Sequence, residues 1–381
     1  MNTIQTTTAV ILAAGASSRF WPLNGVHKGL SPLMGKPLLW YTLSLLRDAG
    51  IQDAVIVQGI EKDIEVRLKD FPIVGLKVRY VVQENPGGTG AALRCALPIL
   101  PERFLVLYGD DLYAKEDMIA CKNVFPSLVA LEVENPREFG VIVPAGTLVA
   151  DIIEKPEVPP SSLANIGMYH VPKYIFEKQT GISSRGEEEL TDYIRSLAQT
   201  SDLHFIQASF WKPMSYAWSY LDAMPFFMHH QGSLIHKTAR VEEGCQITGP
   251  CYIGPGCQVG KGCIIEGPVS LEEGVTMGEG SIIRRSAVWK NSTIGKNCML
   301  QDSVIGEGCV LQDNVLVESE KSHGLIVNIS HKVAVVKRDR FGVALGAGTH
   351  IEEGATLGPA LLVGPGGKVA PKARVYHNKE V

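Results

Sequence analysis

The 381-residue sequence has no excess of charge of either sign: 36 Lys and Arg oppose 40 Asp and Glu, a net charge of −4. That leaves no electrostatic footprint for DNA or RNA. It has no apolar run approaching the roughly 18 residues of a membrane helix, and its opening, MNTIQTTTAV, has no basic stretch ahead of an apolar core. A cytoplasmic protein without membrane or nucleic-acid partners is expected. The eight cysteines form no CxxC pair, which removes the commonest zinc signature. Six of them lie between Cys245 and Cys309 at intervals that suggest a structural repeat, and they read as reduced, mostly buried small residues.

What is present begins with length enough for two or three domains, each with its own core. Over the first two thirds, short apolar β-rich runs alternate with helical patterns: Ala9–Leu12, a helix over Pro37–Ala49 closed by Gly50, a strand at Ala54–Val57, a charged helix at Lys62–Leu68, a strand at Val78–Val82. That alternation predicts a Rossmann-like, mainly parallel sheet with helices on both faces. Ligands of such sheets bind beyond the carboxyl ends of the strands. The chemistry-bearing motifs all fall at those ends.

The first of them follows Ala9–Leu12. Gly15, Ala16, Ser17 and Ser18 are small enough for backbone N–H groups to approach an anion, and Arg19 and Lys28 would add two cations. Read alone, the stretch is either a phosphate loop or an ordinary strand-to-helix turn with solvated basic residues. Leu12 to Leu39, LAAGASSRFWPLNGVHKGLSPLMGKPLL, resembles the signature of the sugar-1-phosphate nucleotidylyltransferases, roughly LAAGxGTRLxPLTxxxPKxLxPVxGKPLI. It departs at Ser17 for Gly, Ser18 for Thr and His27 for Pro. Ser17 is expected to be tolerable only where the backbone does not need a positive φ.

The resemblance continues in order. QENPGGTGA, after the strand at Tyr80–Val82, is by itself a Gly/Pro loop before a helix starting near Ala91. By resemblance, Gln83, Gly88 and Thr89 meet a pyrimidine base, joined by Leu12, Ala14 and Gly15 on the nucleotide side. An amide matches a base edge, and a glycine lets a ring lie on bare backbone. FLVLYGDDL runs a buried strand into Asp110, to which the family assigns Mg²⁺, a hard cation that takes oxygen ligands; Asp111 reads as a helix cap or a supporting group. The segments around Phe139, IIEKP and ANIGMY resemble the sugar side, where Gly140, Glu154 and Asn165 would contact hydroxyls and Lys155 the sugar's phosphate. Glu154-Lys155 alone would be a solvated turn. Glu189-Leu190-Thr191-Asp192 reads as a helix start. The family's second metal ligand follows a tryptophan; here Trp211-Lys212-Pro213 puts a proline in its place.

From about Ile235 a six-residue period takes over: Ile235, Val241, Ile247, Ile253, Val259, Ile265, Leu271, Met277 and Ile283, with small residues two before each from Cys245 on. This is the hexapeptide pattern of a left-handed parallel β-helix. The phase is expected to slip after Trp289, at Ile294 and Ile305, through coils of seventeen residues, and to return at Leu345. The pattern breaks between Val317 and Gly342, where a protruding loop or arm is expected. The domains expected are thus a nucleotidylyltransferase domain over 1–228 and a β-helix over 229–381 with an insertion near 317–342.

The combination resembles the bifunctional nucleotidylyltransferase/acetyltransferase proteins of UDP-N-acetylglucosamine synthesis. It implies transfer of a nucleotidyl group from UTP or dTTP to glucose 1-phosphate or N-acetylglucosamine 1-phosphate, with catalytic Arg19, Lys28, Asp110 and Lys155, Mg²⁺ as cofactor, and homo-oligomers, with a trimer built through the β-helix. Two alternatives stand beside it: a non-catalytic regulatory or scaffolding paralogue, suggested by Pro213, and an acetyl-CoA-dependent activity in the β-helix, with His323, His331 and His350 as candidate bases. QDNV stands where the bifunctional proteins carry GAGT.

Overall fold

The structure is a computed structural model that describes residues 6–177, 181–183, 186–329 and 332–376. The chain divides into two compact units, Met1–Gly15 with Leu39–Pro213, and Ala16–Leu38 with Met214–Val381. The candidate phosphate-loop stretch after Gly15 therefore belongs to the same unit as the carboxyl-terminal third.

In the first unit, β1 (Thr8–Ala13) is buried along its whole length. It runs parallel to β2 (Asp53–Gln58) on one side and to β4 (Arg103–Tyr108) on the other, with β3 (Lys77–Val82) parallel outside β2. Strands buried on both faces explain the unbroken Val/Ile/Leu runs. Helix α1 (Leu38–Asp48) buries Leu39, Leu43 and Leu46, and ends where Gly50 adopts φ +85°, the left-handed stop a glycine supplies at a helix terminus. Helix α2 (Asp63–Leu68) precedes β3, and α3 (Gly88–Ala96) follows it. Helix α3 starts three residues ahead of the expected Ala91, its first turn held to the 187–190 segment through the Gly90 amide and the Thr89 hydroxyl.

Beyond β4 come β5 (Asp111–Tyr113), α4 (Lys115–Asn123), β6 (Ser127–Glu132), β7 (Gly140–Ala145), β8 (Leu148–Glu154), β9 (Leu163–Pro172), α5 (Leu190–Thr200), β10 (His204–Gln207) and β11 (Trp211–Pro213). The nine-stranded sheet has the order β3-β2-β1-β4-β9-β6-β10-β8-β7. Its first four strands are parallel; β9 is antiparallel to β4 and β6, and the β7–β8 pair is antiparallel. The parallel half is the Rossmann-like part, and the mixed half brings the β7, β8 and β9 segments side by side.

The second unit carries helix α6 (Ser219–Gln231) and three seven-stranded parallel sheets, which begin at Leu234–Ile235, Arg240–Val241 and Gln246–Thr248. The expected β-helix follows: Ile253, Val259, Ile265, Leu271, Met277 and Ile283 are all at most 1% exposed. Ile235 is an exception, exposed in the first coil, which has no preceding coil to cover it. Paired residues step by eighteen from Gln258 to Thr276 and by seventeen from Thr276 to Thr293. The slip falls earlier than the apolar pattern suggests. Val288, not Trp289, pairs with Leu271 and Ile305, because the corner Arg285-Ser286 has one residue fewer than Gly267-Pro268-Val269 above it. The cysteine ladder is packing. Cys257 lies against the Glu272 carbonyl, Cys263 against that of Gly278 and Cys309 against that of Gly346, each at 3.0–3.1 Å. Burial pushes the Cys257 and Cys309 thiols up to about 11, which leaves them protonated and poorly nucleophilic.

The interruption between Leu316–Val317 and Val343–Leu345 contains an antiparallel hairpin, Ile326–Ile329 with Lys332–Val335. At its base Asp302, 1% exposed, takes both arms of the Arg285 guanidinium at 2.7 Å and the Ser319 hydroxyl at 2.8 Å. Phe341 is fully buried and meets Trp218 of the segment leading into α6.

A second buried carboxylate, Glu272, receives the Ser270 hydroxyl at 2.6 Å and the Gly35 amide at 2.9 Å. Burial raises its carboxyl from 4.5 to about 7, against the pull of those donors. The folded protein therefore keeps this proton up to about pH 7, whereas the unfolded chain loses it near 4.5. Stability contributed at this position falls as pH rises through that window and levels off above it. We expect the urea midpoint of the parent to decline relative to Glu272→Gln between pH 4.5 and 7; parallel midpoint curves across that range would refute the assignment.

Candidate active site

The carboxyl ends of β1 and β4 are pressed together. The Gly109 amide donates to the Leu12 carbonyl at 2.8 Å, and a Cβ on Gly109 would lie 2.7 Å from the Ala13 methyl. Only glycine fits, so the chain leaving β4 delivers Asp110 beside the turn Ala14-Gly15. Asp110 is partly exposed, and Asp111 is 7% exposed. Asp111 opens strand β5 and caps no helix, since α4 begins after Ala114. Its carboxylate accepts from the Trp211 indole Nε1 at 2.9 Å, and Pro213 is its strand partner across β5–β11.

The sugar-side candidates come together on the mixed half of the sheet. Gly140 pairs with Glu154 across β7–β8, and Ala164 pairs with Val141 across β9–β7. A Cβ on Gly140 would meet the Glu154 carboxylate at 3.0 Å and the Asn165 Cβ at 3.9 Å. Lys155 adopts φ +43°, its amide donates to the Phe139 carbonyl at 3.0 Å, and its ammonium lies 3.8 Å from Glu154, both side chains half-exposed. The Phe139 ring meets Trp211 edge-on at 5.1 Å. A continuous path of contacts thus joins Lys155 and Gly140 through Phe139 and Trp211 to Asp111 and its neighbour Asp110.

Behind this path lies a floor of tyrosines. Asn165 Nδ2 donates to the Tyr169 hydroxyl at 2.8 Å, and its Oδ1 accepts from the Gly167 amide at 3.2 Å. Tyr108 lies flat against Gly167, where a Cβ would meet its ring at 2.3 Å. Burial pushes the Tyr169 phenol up to about 12 and those of Tyr108 and Tyr113 well above the usual range. All three stay neutral at physiological pH and can donate hydrogen bonds.

At the end of β3, Gln83 is buried and its amide reaches toward the Gly88 carbonyl at 3.5 Å. Gly88 has φ +92°, and a Cβ there would lie 2.6 Å from the Glu188 carbonyl. The glycine is thus needed for the 187–190 segment to dock, whose strap is completed by Gly90 N to Glu188 O at 2.8 Å and Leu190 N to Thr89 Oγ at 2.9 Å. Glu189-Leu190 starts α5, as expected, with no side-chain cap from Glu189.

Arg19 and Lys28 lie on the Ala16–Leu38 stretch of the second unit. Arg19 is exposed on a short turn, Ser18–Phe20; Lys28 opens another, Lys28–Leu30, and is 8% exposed. Ser17 takes the left-handed conformation, φ 52°, so the condition under which serine was expected to be tolerable is not met. Its hydroxyl accepts the Lys28 amide at 3.2 Å, an interaction the family's glycine could not make. His27 replaces proline with a cap: its Nδ1 accepts the Gly29 amide at 3.1 Å.

On the β-helix, His350 is 3.3 Å from the Gln312 amide and 3.6 Å from Glu352, while His323 is exposed beside Asp339. His331 lies outside the described residues. Missed in the sequence were Trp211 as the partner of Asp111, and Tyr108 and Tyr169 as the floor; only their places at strand ends or within a matched segment could have marked them.

A family profile described as nucleotidyl transferase matches residues 8–229, more than half of the chain. The chain belongs to that family. Residues 230–321 match a second profile, described as GMPPB C-terminal domain. Among curated proteins, the chain is 35% identical over 225 residues to the bifunctional sugar-1-phosphate nucleotidylyltransferase/acetyltransferase of Sulfurisphaera tokodaii, across 56% of this chain and 54% of that protein. It is 32% identical over 251 residues to the bifunctional protein GlmU of Methanococcus maripaludis, across 63% and 59%. The chain therefore spans a little over half the length of these relatives. A Bacillus anthracis crystal structure, provisionally named glucose-1-phosphate thymidylyltransferase and solved with sucrose, superposes with a TM-score of 0.51 at 27% identity, across 57% of this chain and 93% of that one. No helix among the described residues is long and apolar enough to cross a membrane.

The Ser17 geometry yields a test. Ser17→Ala keeps the left-handed backbone and loses the acceptor, at about 1 kcal/mol; Ser17→Gly loses the acceptor but relieves about 1 kcal/mol of strain. The alanine variant should have the lower urea midpoint, and the reverse order would overturn the reading.

Proposed function

We propose that the protein transfers a nucleotidyl group from a nucleoside triphosphate, UTP or dTTP, to glucose 1-phosphate or N-acetylglucosamine 1-phosphate, releasing pyrophosphate. The observation that carries this reading is the cluster of Gly140, Glu154, Lys155 and Asn165, joined through Phe139 and Trp211 to the Asp110–Asp111 strand end. An oxygen of the sugar phosphate attacks the α-phosphorus; the bond from that phosphorus to the bridging oxygen breaks, and pyrophosphate leaves. No covalent enzyme intermediate is required, so positioning and charge neutralisation carry the rate. Arg19 and Lys28 hold the triphosphate and offset the charge that grows on the leaving group. Lys155 holds the attacking phosphate, while Glu154, Asn165 and the bare backbone at Gly140 orient the sugar. Gln83 reads the base edge beside Gly88 and Thr89, and Leu12, Ala14 and Gly15 line the nucleotide side.

The donor set fits Mg²⁺, which commonly takes one or two carboxylates and fills its octahedron with water and substrate phosphates. Asp110 would hold it. When bound, the ion would withdraw charge from the phosphate oxygens. Pro213 supplies no ligand at its position opposite Asp111. That observation favours a second reading, a nucleotide-sugar-binding subunit without turnover.

Pyrophosphate release, measured with UTP or dTTP against both sugar phosphates, separates the two. Turnover is expected, abolished by chelation and restored by Mg²⁺, and Lys28→Ala or Asp110→Ala should each lower it by about 10²-fold, the scale of one well-placed electrostatic group. Rates within a few-fold of the parent would remove those roles, and silence across the whole panel would favour the binding reading. The β-helix is proposed to assemble three chains, measurable by sedimentation.

An acetyl-transfer activity is carried only by the names of the bifunctional relatives. Neither His323 nor His350 is enclosed by other side chains. We expect no thiol release from millimolar acetyl-CoA with glucosamine 1-phosphate; release that His331→Ala abolishes would establish the second activity.

A further inference from the structure

We propose that Glu272 of the β-helix is a positioning residue for the phosphate-binding stretch: through the Gly35 amide it holds the turn 33–36, and thereby the short helical turn that carries Lys28. The inference deepens the nucleotidyl-transfer reading, on which its kinetic arm rests.

The contacts are specific. Gly35 has φ +75°, and a Cβ on it would lie 2.4 Å from the Tyr252 hydroxyl, so only a bare glycine can seat the turn there. Its amide donates to one Glu272 oxygen at 2.9 Å, Ser270 donates to the other at 2.6 Å, and the Met34 amide reaches Ser270 Oγ at 3.4 Å. From that anchor the chain is bonded back to Lys28. Pro32–Leu33 pairs with Lys36–Pro37, and the Leu38 amide donates to the Ser31 carbonyl at 3.0 Å. The Tyr220 hydroxyl of α6 donates to the Pro32 carbonyl. The Ser31 amide reaches the Lys28 carbonyl at 3.1 Å, and the Lys28 amide reaches Ser17 Oγ at 3.2 Å. Glu272 is 3% exposed, and the donors just named are neutral. A carboxylate in that setting costs stability that an apolar residue would not. Its geometric demand on the Gly35 amide gives it a use that stability does not.

The test uses the full chain with Glu272→Ala, Glu272→Gln and Gly35→Ala. Amide hydrogen exchange without substrate should speed up about tenfold across 28–36 in Glu272→Ala and Gly35→Ala, the scale of one lost hydrogen bond. The KM for the triphosphate should rise by a similar factor, with the KM for the sugar 1-phosphate within about twofold of the parent. Glu272→Gln, which keeps an acceptor for the amide, should stay close to the parent in both readouts. Unchanged exchange over 28–36 in Glu272→Ala and Gly35→Ala would overturn the proposal, as would equal rises in both KM values. If Glu272→Ala does not fold, Gly35→Ala decides from the loop side. If the parent itself releases no pyrophosphate, the nucleotidyl-transfer reading falls while the exchange result still decides whether Glu272 holds the turn.

Discussion

The absence of a side chain at Gly109 is the constraint on which the first unit depends. With 2.7 Å between a Cβ there and the Ala13 methyl, β1 and β4 can end together only if that residue is bare. Their meeting sets the Leu12–Gly15 turn and the Asp110–Asp111 strand end next to one another. From Asp111 the order extends through Trp211 and Phe139 to the β7–β8 pair, so two halves of a sheet with different strand directions share one polar edge. Strand ends fixed by such contacts suit the proposed transfer, in which geometry and charge would carry the rate.

The second unit applies the same economy with carboxylates. Asp302 is matched by a two-pronged guanidinium and a hydroxyl, a fully paired buried charge. Glu272 is matched only by neutral donors and rests closer to neutrality. One ties the base of an inserted arm to the coil, and the other ties a loop of distant sequence to it. Cysteines fill small inward positions of the coils, with thiols against carbonyls.

Much of this was legible in the residues. The six-residue apolar period exposes a β-helix because each coil repeats one inward position, and the alternation of β-rich and helical runs exposes the parallel half of the first unit. The slip at Val288 was misread by one residue, since Trp289 is as apolar as its neighbour and only the corner length decides which points inward. Ser17 was expected to be tolerable only where the backbone does not need positive φ; the backbone there is left-handed all the same, and the hydroxyl accepts the Lys28 amide. Trp211 escaped notice because its bond to Asp111 joins residues a hundred apart, and no local period records such a pair. The same limit hid Glu272, whose partner amide is 237 residues away.

That last separation bears on how the chain comes to be finished. A ribosome delivers residue 35 long before residue 272, and domains tend to fold as their own sequence emerges. The turn at 33–36, in the Ala16–Leu38 stretch grouped with Met214–Val381, meets its contacts in the β-helix only once the two successive coils that bear Tyr252 and Ser270–Glu272 have closed. A nascent chain with only the sheet completed would lack the contacts that hold the turn at 33–36, so the order of the Ala16–Leu38 stretch would arrive with the β-helix, late in synthesis.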